Sequence, residues 1–242
     1  MINNDRVVGG ITDIATKECK TFYQTFCKGK IITTDSRTAE LVKLSENAYR
    51  DVNIAFANEM SMFCESVGID TQELIRIANY HPRVNILKPG CGVGGHCIAV
   101  DPWFIVSESP KLTPLIQTSR KVNNYKSYWA LEKIKNKCFH LEKAFKRKPK
   151  IGTLGLSFKP DISDLRTSPA LQITKKLIQE GFEVLACEPN LESYDGINLY
   201  SLDYILKEAD LIVVLVAHSS FLNLKIKNKE ILDFVNSKFL YD

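Results

Sequence analysis

No run of 18 apolar residues occurs anywhere in the 242-residue chain, which excludes a transmembrane helix. No Cys-x-x-Cys pair occurs, and the four histidines (His81, His96, His140, His218) show no ligand spacing, so no metal site is expected. The opening Met-Ile-Asn-Asn-Asp-Arg lacks the basic and then apolar pattern of a signal peptide, and a cytoplasmic protein away from membranes is expected. Concentrated charge is also missing. The 32 Lys and Arg against 28 Asp and Glu leave a net +4 spread along the chain, whereas a nucleic-acid reader gathers its excess on one face. There is no internal repeat and no low-complexity tract.

What is present is ordinary globular material, 45% apolar and 25% charged, long enough for one large or two modest domains. The mild cationic surplus suits a small anionic ligand. Seven cysteines are an odd number without a secretion signal, so core packing or chemistry is expected of them, not a disulfide framework.

The chain changes grammar once. Residues 1–34 suggest a helix over 14–26 and a brief extended piece at Ile31-Ile32. Ser36 is the expected N-cap of a long helix over 38–67, whose apolar stripe is Leu41, Leu44, Ala48, Val52, Ala55 and Met62. A helix over 71–80, a glycine-rich loop over 89–97 and a long helix over 112–145 follow. The basic run Lys146-Arg147-Lys148-Pro149-Lys150 is the expected linker. Beyond it, strands over 151–158, 182–187 and 211–217 alternate with helices over 169–180 and 201–209. The continuous β-branched run at 211–217 marks a strand buried on both faces. The expected fold is α/β: an all-α central domain (35–148) followed by a Rossmann-like parallel α/β domain (149–242).

Gly90-Cys91-Gly92-Val93-Gly94-Gly95 matches the dinucleotide fingerprint in letters. The context argues against it: Pro89 precedes where a strand should end, Pro102 is expected to stop a helix early, and no acid stands about 20 residues on. Two readings stay open, a tight turn and a loop whose amides approach an anion while presenting Cys97. A thiol among amides and cations becomes a nucleophile. Lys43, Asn47 and Arg50 share one face of the long helix, with Glu40 and Glu46 expected to project elsewhere. That face is either solvated or able to hold an oxyanion. Lys159 and Arg166 follow the first strand of the second part, where a phosphate could sit, unless the loop's own ion pairs engage them.

Three segments in this order, AELVKLSENAYRDVNIAFANE, NILKPGCGVGGHCIAVDPW and GLSFKPDISDLRTSPA, resemble the nucleotide-sugar 6-dehydrogenases that act on UDP-glucose or UDP-N-acetylmannosamine. The variant HCIAVDPWF resembles the N-acetylmannosamine subgroup. The resemblance implies NAD-dependent oxidation of a sugar C6 alcohol to an acid, serving surface polysaccharide synthesis. Cys97 would be the nucleophile, Lys43 and Asn47 would manage the C6 oxygen and water, and Asp101 would support water activation. Arg50, His81, Arg83, Gly94 and Lys159 would contact the UDP-sugar, with Arg83 reaching a neighbouring subunit, and Arg166 would contact NAD. The long helix would form a homodimer core. The family begins with an NAD-binding domain, of which residues 1–34 would be the junction. The chain is therefore expected to bind a UDP-sugar weakly and not to turn over alone. A UDP-sugar-binding dimer without catalysis is the other reading, and a cysteine hydrolase built on Cys97 a weaker one.

Overall fold

The computed structural model describes residues 2–222, 224, 226 and 229–235. It opens with a strand the sequence did not suggest, β1 (Arg6–Gly10), followed by α1 (Asp13–Gln24) and β2 (Ile31–Asp35). β1 and β2 pair in parallel with Arg6 opposite Ile31, so this start is a small β-α-β crossover. β1 was missed because only Val8 is buried and two of its five residues are glycines. Pairing and close approach create it: a Cβ on Gly9 would sit 2.3 Å from the Asp35 carbonyl oxygen.

α2 (Ser36–Ser66) is capped by Asp35, not by Ser36. The Asp35 carboxylate accepts the Thr38 amide at 3.0 Å and the Thr38 hydroxyl at 2.6 Å, and these bonds hold it below its ordinary range. The expected apolar stripe is also corrected. Ala48 and Ala55 are buried, but Leu41 is 52% exposed, and the buried face is completed by Asn47, Asp51, Ala57, Asn58 and Cys64. Large apolar residues recur every seven positions on the opposite face, where Tyr49, Phe56 and Phe63 are 72%, 53% and 55% exposed.

α3 (Thr71–Ala78) and α4 (Asp101–Glu108) lead to α5 (Pro114–Phe145). α2 and α5 meet through polar groups. Asp51 and Arg120 form a buried ion pair at 2.6 Å, Asn123 donates to the Asp51 carboxylate at 2.8 Å, and Asn58 donates to Asn123 at 2.9 Å. Further along, buried Lys126 donates to Ser61 Oγ at 2.8 Å and lies 3.8 Å from the centre of the Trp129 ring. Burial pushes Lys126 down to about 8, against the opposing pull of Glu65.

The second half is a four-stranded parallel sheet in the order β4-β3-β5-β6. Its strands are β3 (Lys150–Leu154), β4 (Glu183–Cys187), β5 (Leu211–Val214) and β6 (Glu230–Asp233), with α6 (Pro169–Gln179) and α7 (Leu202–Glu208) between them. One face packs Ile151 and Val213 against Ile173 and Leu177 of α6 and against Ile134, Cys138 and Leu141 of α5. The other packs Leu154, Ile212 and Val214 against Ile205. Both faces are dry, which is why β5 is a continuous apolar run. The second half of α5 thus belongs to the sheet's core. The basic run at 146–150 is no free linker: Lys146 turns the chain with φ +56, and Arg147 grips Asp210 through two bonds of 2.7 and 2.8 Å. Among the described residues no helix is long and apolar enough to cross a membrane.

Candidate functional site

The buried polar face of α2 sets the site. Asn47, one turn before Asp51 on that face, donates its side-chain amide to Asp101 Oδ2 at 2.5 Å. Asp101 opens α4, with Pro102 in the first turn. The sequence reading expected Pro102 to stop a helix; at this position its fixed φ and missing N–H favour a start. Cys97 lies one turn upstream, half-buried, and its carbonyl accepts the amides of Val100 and Asp101 at 3.0 and 2.8 Å. Asn47, Asp101 and the Cys97 turn are therefore one assembly made from two distant segments.

The glycine loop joins this assembly to the α/β half. Gly90 N–H is held by Asn58 Oδ1 at 2.9 Å, at the end of the α2–α5 polar network. Gly95 exchanges two bonds with Thr167: its amide donates to Oγ1 at 2.9 Å, and its carbonyl accepts from the hydroxyl at 3.0 Å. A Cβ on Gly94 would lie 2.5 Å from the Thr167 carbonyl oxygen and 2.7 Å from Pro169 Cδ. Gly95 has φ +91, and a Cβ there would meet the Phe158 ring at 2.8 Å. Gly94 and Gly95 are required by the close approach of two protein loops. Their open sides are filled by this chain's own atoms, so the loop is not a cradle for a dinucleotide.

The remaining expected residues are more dispersed. Lys43 stands on the Asn47 face but is paired with Glu46 at 3.4 Å. The expectation that Glu46 projects elsewhere is corrected, since residues three apart on a helix are neighbours. Arg50 is exposed one turn beyond Asn47. His81 and Arg83 are exposed on the loop after α3, where the Arg83 amide donates to His81 Nδ1 at 3.3 Å. Lys159 is exposed after β3. Arg166 is engaged by its own loop: three bonds of 2.5 to 3.0 Å run from the guanidinium to Asp164. The same pair holds Asp164 down to about 2. Arg166 is raised above its ordinary value, mainly by its hydrogen bonds to Asp164.

Two groups of residues escaped the sequence reading. One is the set Asp51, Asn58, Arg120 and Asn123. Its signal was polar residues at helical spacing on the face that alanines mark as buried. The other is Glu188 and His218, each at the carboxyl end of a strand. Burial pushes Glu188 up, but His218 and the amides of Leu156 and Ser157 outweigh it and hold the carboxyl below its ordinary value.

A helical core whose polar face meets the loop of a parallel α/β domain defines a two-part helical and α/β class of protein. Residues 37–125 match the central domain of the UDP-glucose/GDP-mannose dehydrogenase family, and residues 152–242 match its UDP binding domain. The chain belongs to that family. It is 48% identical over 233 residues to a UDP-N-acetyl-D-mannosamine dehydrogenase of Campylobacter jejuni, covering 93% of this chain and 56% of that protein. It is 47% identical over 226 residues to an NDP-N-acetyl-D-galactosaminuronic acid dehydrogenase of Ralstonia solanacearum, covering 91% and 52%. Among solved structures, the UDP-N-acetyl-mannosamine dehydrogenase of Staphylococcus aureus superposes with TM-score 0.81 at 39% identity, covering 99% of this chain and 57% of that one. The chain spans about half the length of the relatives it matches.

Proposed function

We propose that the chain carries the sugar-oxidising centre of a UDP-sugar 6-dehydrogenase, with a UDP-N-acetylhexosamine as substrate and N-acetylmannosamine as the favoured sugar. The observation that carries this reading is the 2.5 Å bond between Asn47 and Asp101, one turn from Cys97, in a loop fastened to the UDP binding domain. In this reading the Cys97 thiolate adds to an aldehyde-level C6, forming a C–S bond and placing negative charge on the C6 oxygen. Asn47 and Lys43 hold that oxygen. At the thioester level, Asp101 takes a proton from the attacking water, the C–S bond breaks, and the carboxylate leaves with Cys97 restored.

The two oxidations need a hydride acceptor, and NAD is the one the resemblance implies. The glycine loop is not a cradle for it: the sides of Gly94 and Gly95 are filled by Thr167, Pro169 and Phe158, and Arg166 is already paired with Asp164. This disagreement favours a second reading of the chain by itself, a UDP-sugar-binding module without turnover.

The exposed stripe of Tyr49, Phe56 and Phe63 supports a homodimer through α2, because a stripe of this kind on a long helix is ordinarily covered. Calorimetry with UDP-N-acetylmannosamine, an NADH absorbance assay, and light scattering of wild type and Phe56→Glu test the whole. UDP-sugar binding, no NADH, and a dimer that Phe56→Glu splits are the expected results. NADH formation by the chain alone would overturn the poor fit to NAD. Absence of UDP-sugar binding at about millimolar ligand, near −4 kcal/mol, would overturn the substrate.

A further inference from the structure

We propose that His218 is a positioning residue for UDP binding, holding the loop that carries Lys159 through a hydrogen bond accepted from the Asp161 amide. The proposal rests on the reading of Lys159 as a contact to the UDP-sugar.

The sheet order places β3 between β4 and β5, and the carboxyl ends of these strands are where an open parallel sheet takes its ligands. Each of the three ends contributes to one cluster with a buried centre and an exposed rim: buried Ser157 and exposed Asp161 after β3, buried Glu188 and exposed Asn190 after β4, and His218 after β5. His218 is wholly buried. Its Nε2 lies 3.1 Å from Glu188 Oε2 and 3.3 Å from Ser157 Oγ. Its Nδ1 receives the Asp161 amide at 3.0 Å and the Asn190 side-chain amide at 3.1 Å. Glu188 Oε2 already accepts the Leu156 and Ser157 amides at 2.8 and 2.9 Å, and a carboxylate accepts only. The ring proton is therefore on Nε2, and Nδ1 is the acceptor.

The consequence falls on Lys159. On one side its carbonyl accepts the Ser157 hydroxyl at 2.8 Å. On the other, Asp161 sits at φ +60, a left-handed conformation that Asp adopts at some cost. Asp161 is held there by His218 and by Ser219, whose amide and hydroxyl reach its carboxylate at 2.8 and 2.6 Å. Lys159 itself is exposed. A charged side chain on a loop clamped at both shoulders meets an anion with less ordering left to undergo. Glu188, the acid at the end of the second strand of this sheet, points inward to the clamp. It is not free for a ribose hydroxyl, the role an acid at that place has in a dinucleotide fold.

Asparagine and glutamine separate the two ring nitrogens. In His218→Asn, Oδ1 replaces Nδ1 and keeps the acceptor for Asp161. In His218→Gln, the side-chain amide replaces Nε2 and keeps the donor to Glu188, but the acceptor is lost. UDP affinity measured by calorimetry is expected to fall about tenfold in His218→Gln, the value of one lost hydrogen bond, and within about threefold in His218→Asn. Amide exchange at Asp161 should accelerate in His218→Gln and stay near wild type in His218→Asn. A purely structural histidine would lower stability in both without this split. Where His218→Gln does not fold, Ser157→Ala removes the other shoulder and is expected to weaken UDP several-fold with the sheet intact. Lys159→Met serves as the control. If wild type binds UDP and Lys159→Met binds it equally, the reading of Lys159 fails. If Lys159→Met weakens binding while His218→Gln and Ser157→Ala do not, the positioning role alone fails.

Discussion

Asn47 and Asp101 stand 54 positions apart in the chain and 2.5 Å apart in space, amide to carboxylate. The bond fixes the first turn of α4 to the polar face of α2, and with it the Cys97 turn. A hydrogen bond to a charged group of this kind contributes about 1.5–3 kcal/mol.

A double-mutant cycle measures the bond directly. Asn47→Ala and Asp101→Ala are each expected to cost about 1.5–3 kcal/mol in urea unfolding, with a coupling of about the same size. Strictly additive losses would show that the two side chains do not support each other.

The thiols are expected to separate under iodoacetamide near neutral pH, read by peptide mass mapping. Burial pushes Cys91 and Cys138 up to about 12 and Cys187 up to about 11, so almost none of their thiolate exists there. Cys97 is half-buried, at the end of the loop whose Gly95 amide donates to the Arg166 carbonyl at 3.2 Å. It should label first, and Arg166→Gln should slow it. Equal labelling of Cys97 and Cys138 would remove the nucleophile assignment.

Stability should depend on Lys126 in the alkaline range. Burial lowers Lys126 from 10.5 to about 8, so between those values the unfolded chain binds a proton the folded chain has lost. The linkage relation then makes stability rise with pH across that window, and below about 8 the cost of burying the charge is borne in full. Lys126→Met should be more stable than wild type at pH 7. That advantage should shrink by on the order of 1–3 kcal/mol by pH 10. Urea midpoints at pH 7, 9 and 10 check this, and parallel profiles for the two proteins would contradict it.

Gly94→Ala tests the loop junction. Its Cβ would press on the backbone at Thr167, 2.5 Å away, where nothing flexible can yield. A loss of about 1–3 kcal/mol is expected, together with faster amide exchange at Gly95 as its bonds to Thr167 open. A variant as stable and as protected as wild type would mean that the loops do not need this approach.

Much of the fold was legible in the chain. Pro169 opens α6 where a proline fits a helix start, and the run from Leu211 announced a strand dry on both faces. These are local signals, set by backbone sterics and by periodicities of two and 3.6 residues. β1 and β6 were not legible, because a strand of four or five residues with glycines or end charges exists only through its partner. The stripe on α2 was read only in part: Ala48 and Ala55 are buried as expected, but Leu41 is exposed, and Asn47, Asp51, Asn58 and Cys64 complete the core side while Tyr49, Phe56 and Phe63 face outward.

The sequence by itself determined the order of helical and α/β halves, the three family segments, and the residue types of the site: a thiol, an amide, a carboxylate and cations. Tertiary structure decided which of them meet. It joined Asn47 to Asp101, gave Lys43 to Glu46 and Arg166 to Asp164, turned the glycine loop into a seam between two domains, and gathered Glu188 and His218 behind Lys159. Periodicity reaches only about four residues along a helix, whereas these pairings are mostly set by how α2, α4, α5 and the ends of the parallel strands pack.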